Sequence, residues 1–257
     1  MIDTKQAFIE HLMEMRKTLL YCVIAIAVCF VLVFALFCDQ IMAFVTAPIH
    51  KMGIDMIYTA LAEAWITKMK LSFLVSIVVS FPFVAFFIWL FLKPALYPKE
   101  RKMFGLIFFS ALFLFSLGII FAYCVVLILT INFFVLSGAN TATPMFSISQ
   151  YVSFLTSFLI PFGIMFLLPL IIYVLTKLGV ISPAALVKSR KYVVVILVIV
   201  AAVLTPPDVI SQILMFIPMM LLWEISVFVS KHVVVNKERA IKKQETEEPV
   251  DSPDPVE

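Results

Sequence analysis

The sequence predicts an all-α, polytopic membrane protein with six transmembrane helices and both termini in the cytoplasm. Three observations carry that prediction. Hydrophobic residues make up 63% of the 257 and charged residues only 14%, with a mean hydropathy of +1.13, far from soluble globular usage. The apolar residues lie in continuous runs, whereas a β-barrel would need alternating segments of ~10 residues. Lysine and arginine are shared unevenly among the polar breaks, with sixteen of the 19 on one set and three on the other, which orients the chain by the positive-inside rule.

Taken in order, residues 1–18 read as an amphipathic N-terminal helix at the cytoplasmic membrane surface, with Asp3 and Gln6 as a variant capping box and Phe8, Leu12, Met15 and Leu19 as its apolar stripe. The six-span membrane domain follows over 19–230. The first span, about 19–37, is just long enough for ~30 Å of hydrocarbon, and no cleavable leader is expected ahead of it. A 33-residue break over Cys38–Lys70 contains Ala47-Pro48 and is expected to carry short interfacial helices. The second span covers about 71–92, interrupted by Pro82 and ending near Trp89. The third, about 104–136, has no charge over its 33 residues, so it tilts or projects beyond the bilayer.

The fourth span, about 151–175, holds Pro161, Gly163 and Pro169, which are expected to kink it. Ser182-Pro183 places a cap and an N1 proline before a short helix. The fifth span, about 192–204, is too short to cross an unperturbed bilayer. The sixth, about 209–230, is interrupted by Pro218, and the basic-then-acidic tail over 231–257 is expected to be a disordered cytoplasmic segment. A re-entrant hairpin also fits residues 192–230; two short spans fit better, because Asp208 then caps the sixth helix.

Little chemistry beyond this is written in the chain. The six glycines form no phosphate loop, and the three histidines lie far apart. The four cysteines have neither metal nor redox spacing and read as small buried hydrophobes. The expectation is no enzyme, no cofactor and no metal. One alternative is a secondary transporter coupling ions through Asp208 and Glu224, although ionisable groups at mid-membrane depth are scarce.

The polar break Leu92–Lys102 offers more. It carries four basic residues and one acid, Glu100, and between Glu63 and Glu238 the only acids are Glu100, Asp208 and Glu224. Acids at Glu14 and Glu100 on an otherwise basic surface suit a cationic peptide, whose arginine forks bind carboxylates bidentately.

The motifs His11-Leu12-x-Glu14-x-Arg16-Lys17, Ala47-Pro48, Phe81-Pro82, Phe91-x-x-Pro94-Ala95-Leu96-Tyr97 running into Glu100-Arg101, Phe162-Gly163, Arg190-Lys191-Tyr192 and Leu204-Thr205-Pro206-Pro207-Asp208-x-x-Ser211-Gln212, together with Pro169, Pro218 and Glu224, resemble the TatC family, the multi-span receptor subunit of the Sec-independent twin-arginine protein translocase. The resemblance runs from His11 to about Val229. It implies that Glu14 and Glu100, with Arg16, Arg101 and Phe91, bind the twin-arginine signal peptides of folded cargo. It assigns partner or structural roles to Pro48, Asp208, Gln212 and Glu224.

It further implies small single-span partners of the TatA and TatB types, membrane lipid around a homo-oligomer in the receptor complex, no nucleic acid, use of the proton-motive force, and a place in the bacterial cytoplasmic (inner) membrane. One position departs from the family pattern. Leu167 stands just before Pro169, where an acidic or amide residue is usual.

Overall fold

The computed structural model describes the backbone of residues 2–92, 101–138, 145–205 and 209–247, and the side chains within 13–91, 105–137, 145–205 and 209–234. Glu100, Asp208 and residues 248–257 lie outside the described residues. Helices dominate, because a chain this apolar can satisfy its backbone in lipid only by bonding within each segment.

Helix α1 (Ile2–Leu32) passes through a π-helical turn, Val33–Phe37, into α2 (Cys38–His50). The chain returns as α3 (Glu63–Leu92), goes out as α4 (Arg101–Phe121), crosses a second π-helical stretch, Ala122–Leu127, and continues as α5 (Ile128–Gly138). It comes back as α6 (Ile148–Phe166) and α7 (Leu168–Lys177), turns through the short α8 (Pro183–Lys188), goes out as α9 (Arg190–Leu204) and returns as α10 (Val209–Glu247). The bundle therefore has a near end, where α1 starts and α3 finishes, and a far end, where α2 finishes and α6 starts. As expected, Ser182 caps α8: its side chain accepts from the Ala185 N–H at 3.3 Å, with Pro183 in the first turn.

Several boundaries differ from those expected. Residues 2–32 form one helix, with no break between a surface segment and a span, and the short helix expected in the first far-end break, α2, runs on from α1 through the π-helical turn as far as His50. The sequence there repeats apolar residues four apart, Ile41, Val45 and Ile49, and the last two are buried. Helix α10 continues through Glu247, well past Ser230 and into the segment expected to be disordered. Among the described residues five helices are long and apolar enough to cross a membrane. Helix α9, with 15 residues and so ~22 Å, is too short to be among them. Of the cysteines, Cys22, Cys29 and Cys38 are only partly buried and Cys124 is exposed, because an apolar helix in lipid turns small residues outward as readily as inward.

The core lies where α3, α4 and α6 meet. Phe158, Phe162, Leu155, Val152, Leu71 and Leu74 are essentially inaccessible. Helices α4 and α6 approach closely through two glycines. A Cβ on Gly118 would lie 2.8 Å from the Phe162 carbonyl oxygen, and one on Gly163 would lie 2.7 Å from the Phe115 ring. Small residues let helices touch in the membrane, where no solvent drives them together. Phe115 in turn stacks on Phe81 of α3 with ring centroids 3.7 Å apart. The chain bends at Leu167, where the Leu167 N–H turns back to the Ile164 carbonyl at 3.0 Å, because Pro169 cannot donate to residue 165.

Pro48 sits inside α2, where it offers no N–H to the Phe44 carbonyl and pushes that carbonyl aside. The Tyr123 hydroxyl donates to the freed Phe44 oxygen at 3.0 Å, and its ring stacks on Phe44 with centroids 5.2 Å apart. The buried Tyr151 hydroxyl donates to the next carbonyl, Val45, at 2.7 Å. The proline thus exposes a carbonyl that the π-helical stretch between α4 and α5 takes up. Tyr123→Phe is expected to cost about 1 kcal/mol, and more where hydrocarbon excludes water. In a Pro48→Ala background the restored N–H takes the carbonyl, and the same substitution should cost much less. Thermal unfolding of the four proteins in detergent measures the coupling, and equal costs in both backgrounds would refute it.

At the far end two short strands, β1 (Met56–Ile57) and β2 (Phe146–Ser147), pair in parallel. Glu63, in the first turn of α3, ties the two loops together. One carboxylate oxygen accepts from the Thr59 N–H, from the Thr59 hydroxyl at 2.6 Å and from the Ala60 N–H at 3.0 Å. The other accepts from the Ser147 hydroxyl and from the Ser149 N–H at 3.1 Å. Three of these donors are backbone N–H groups, which can only donate, so the group is held as a carboxylate.

Candidate functional site

At the near end a cavity of about 180 Å³ opens between α1 and α3, lined by Glu14, Lys17, Thr18, Tyr21, Phe87, Leu90 and Phe91. Helical spacing explains the membership. Residues 14, 17, 18 and 21 share one face of α1, and 87, 90 and 91 share one face of α3. Tyr21 packs on Phe87 with centroids 5.7 Å apart, which closes the deep side, and the Thr18 hydroxyl donates to the Glu14 carbonyl at 3.0 Å. The cavity has an aromatic floor and a rim with one exposed carboxylate and one exposed ammonium. A cation with a flat face suits it: the carboxylate takes the charge and the rings take the plane.

Glu14 and Phe91 were singled out from sequence, and the structure brings them together. Arg16, two positions from Glu14, is exposed and points to another face. Arg101 begins α4 at this same end, and its side chain lies outside the described residues, as does Glu100. Tyr21 and Phe87 were missed, although their spacing from Glu14 and Phe91 would have found them.

The α9–α10 pair carries two more predicted residues. Gln212 donates through Nε2 to the Val198 carbonyl at 3.1 Å, joining the helices toward the far end. Glu224 Oε2 meets Arg190 Nη2 at 2.5 Å, joining them toward the near end. The partner Arg190 was not read from sequence, because it lies 34 positions away. Glu224 therefore stands as half of an interhelical ion pair. Pro48 lies away from the cavity, in the far-end arrangement already described.

The family model for Sec-independent protein translocase protein (TatC) matches residues 10–218. The chain belongs to the TatC family. Relatives include the Sec-independent protein translocase protein TatC of Escherichia coli (strain K12), 39% identical with 91% of each chain covered. That of Carboxydothermus hydrogenoformans is 36% identical, with 91% of this chain and 96% of the relative covered. A solved structure described as the twin arginine translocase receptor TatC superposes with a TM-score of 0.81 at 35% identity, covering 87% of this chain and 99% of the other. The chain is thus a multi-pass, all-α component of a Sec-independent protein translocase.

Within this TatC fold Leu167 lines a separate cavity of about 410 Å³ in the near half, between α3, α4 and α7, among Phe81, Trp89, Phe108, Leu170 and Val174. Every lining side chain except the indole of Trp89 is wholly apolar, so this wall holds neither an acid nor an amide. Leu167→Glu is expected to cost ~2.5–3.5 kcal/mol of insertion energy and to lower membrane abundance measured by immunoblot. Unchanged abundance would mean that the cavity is wet.

Proposed function

We propose that this chain binds twin-arginine signal peptides and, with small single-span partners of the TatA and TatB types, moves folded proteins across the bacterial inner membrane using the proton-motive force. The observation that carries the reading is Glu14 standing beside Phe91 and Phe87 over the near-end cavity, in a chain of the TatC family. Glu14 and Glu100 each take one guanidinium, and Phe91 packs on the apolar part of the peptide. Arg16 and Arg101 support that site. The near end faces the cytoplasm, with both termini and the basic breaks on that side. The helices then form six spans, α9 and the start of α10 being the short last pair. Asp208, Gln212 and Glu224 serve that pair, and the receptor complex holds several copies of the chain.

The test is a labelled signal peptide titrated against the purified chain in detergent. A twin-arginine peptide should bind tighter than its twin-lysine analogue, because an ammonium cannot form the bidentate fork. Glu14→Gln should remove that preference. Equal affinities for the two peptides in the unaltered protein would overturn the reading.

A further inference from the structure

Two cavities on the far half of the seam between α3 and α6 share one side chain, Lys70. The one nearer the loops, about 350 Å³, has Lys70, Ser149 and Gln150 in its wall together with Glu63. The deeper one, about 320 Å³, has Lys70 and Ser153 at its mouth and Phe73, Leu74 and Ile160 as walls. Helical periodicity aligns them: 66, 70 and 73 run down one face of α3, and 149, 153, 156 and 160 down the facing side of α6. Phe73 is 53% exposed, so the deep slot opens to the lipid-facing surface.

Lys70 is the last charge before the uncharged run from Leu71 to Leu92. Its neighbour Lys68 is taken up by Asp39 at 2.5 Å. Lys70 makes no ion pair or hydrogen bond among the described residues. Glu63, in the same wall, forms no ion pair with it, because its carboxylate oxygens accept from donors of the two loops. The Ser149 and Ser153 hydroxyls and the Gln150 side-chain amide are likewise uncommitted, whereas the Thr156 hydroxyl donates to the Val152 carbonyl at 2.8 Å.

The upper chamber thus has one cation and several free donors, and it runs directly into an apolar slot at the depth where hydrocarbon begins. That is the outline of an anionic amphiphile. Basic pockets between transmembrane helices bind anionic headgroups in this way. A lysine that merely snorkelled to water would need neither the donors nor the slot beneath it.

We infer that the α3–α6 seam holds one anionic phospholipid, its phosphodiester on Lys70, Ser149, Gln150 and Ser153 and an acyl chain between Phe73 and Ile160. The lipid fills the gap just below the Glu63 clasp, where two helices would otherwise leave void.

Native mass spectrometry of the purified full chain, titrated with phosphatidylglycerol and separately with phosphatidylcholine, tests this. The expected result is one phosphatidylglycerol bound in preference to phosphatidylcholine. Lys70→Ala should weaken it about fivefold, the ratio set by roughly one lysine near an anionic surface, and Lys70→Arg should retain it. Lys68→Ala, on another face, should leave it unchanged. Ile160→Trp should weaken it with Lys70 intact, by blocking the slot. Excess inorganic phosphate should not displace it, since the acyl chain holds the lipid. The inference is overturned if Lys70→Ala binds phosphatidylglycerol as the unaltered chain does, if phosphatidylcholine binds equally, or if inorganic phosphate displaces the lipid.

Discussion

Reversing both near-end acids, Glu14→Lys with Glu100→Lys, is expected to abolish crosslinking of a twin-arginine peptide while the protein still inserts. Each carboxylate–guanidinium pair is worth ~1.5–3 kcal/mol when partly desolvated. Glu14 is exposed, so screening keeps its share at the low end, roughly tenfold in affinity. Breaking both pairs then costs about a hundredfold, at the same ~1.4 kcal/mol per tenfold, and the new repulsion adds to it. Insertion should survive because both residues lie in charged stretches of the sequence and Glu14 is exposed, away from the core around Phe158 and Phe162. The readout is photo-crosslink yield per unit of membrane-inserted protein. Undiminished crosslinking in the double variant would sink the proposed peptide site, whatever happened to export.

The largest expected effect on the fold comes from a single methyl group. Gly118→Ala places a Cβ 2.8 Å from the Phe162 carbonyl oxygen and 2.9 Å from the Phe166 Cβ. Neither atom can swing aside, since one is backbone and the other is the first atom of a side chain. Helices α4 and α6 must separate instead, which strains the Phe81–Phe115 stack and opens the core, at a cost of ~1–3 kcal/mol or more. Reduced abundance and earlier thermal unfolding in detergent are the expected readings. Gly105→Ala is the control, because a Cβ there meets nothing within 4 Å, and it should unfold no earlier than the unaltered chain, alanine being the better helix former. If the two variants unfold alike, the glycine does not set the helix approach.

Much of the architecture was legible because membrane folding is dominated by local terms. An apolar run must be helical, its length says whether it spans, and prolines punctuate it. The Ser182 cap, the short α9 and the proline-associated bend in the fourth span followed from these rules. The cavity residues Glu14 and Phe91 came from motifs, and their meeting across α1 and α3 is a consequence of antiparallel packing.

The sequence by itself determined the class, the run of helices, the charge bias and the two acids on a basic surface. Those follow from hydropathy and spacing within one segment, whose energies depend on neighbours a few residues away. The tertiary structure decided the pairings between segments: Tyr123 with the carbonyl that Pro48 frees, 79 positions away, Arg190 with Glu224, Glu63 with both far-end loops, and Lys70 left unpaired over a slot. It also decided that helix continues to His50, through Pro48, and on through Glu247. Each of these depends on which faces the helices present to one another. That is set by close packing over the whole bundle, through approaches such as Gly118 against Phe162, and one-dimensional periodicity carries no record of it.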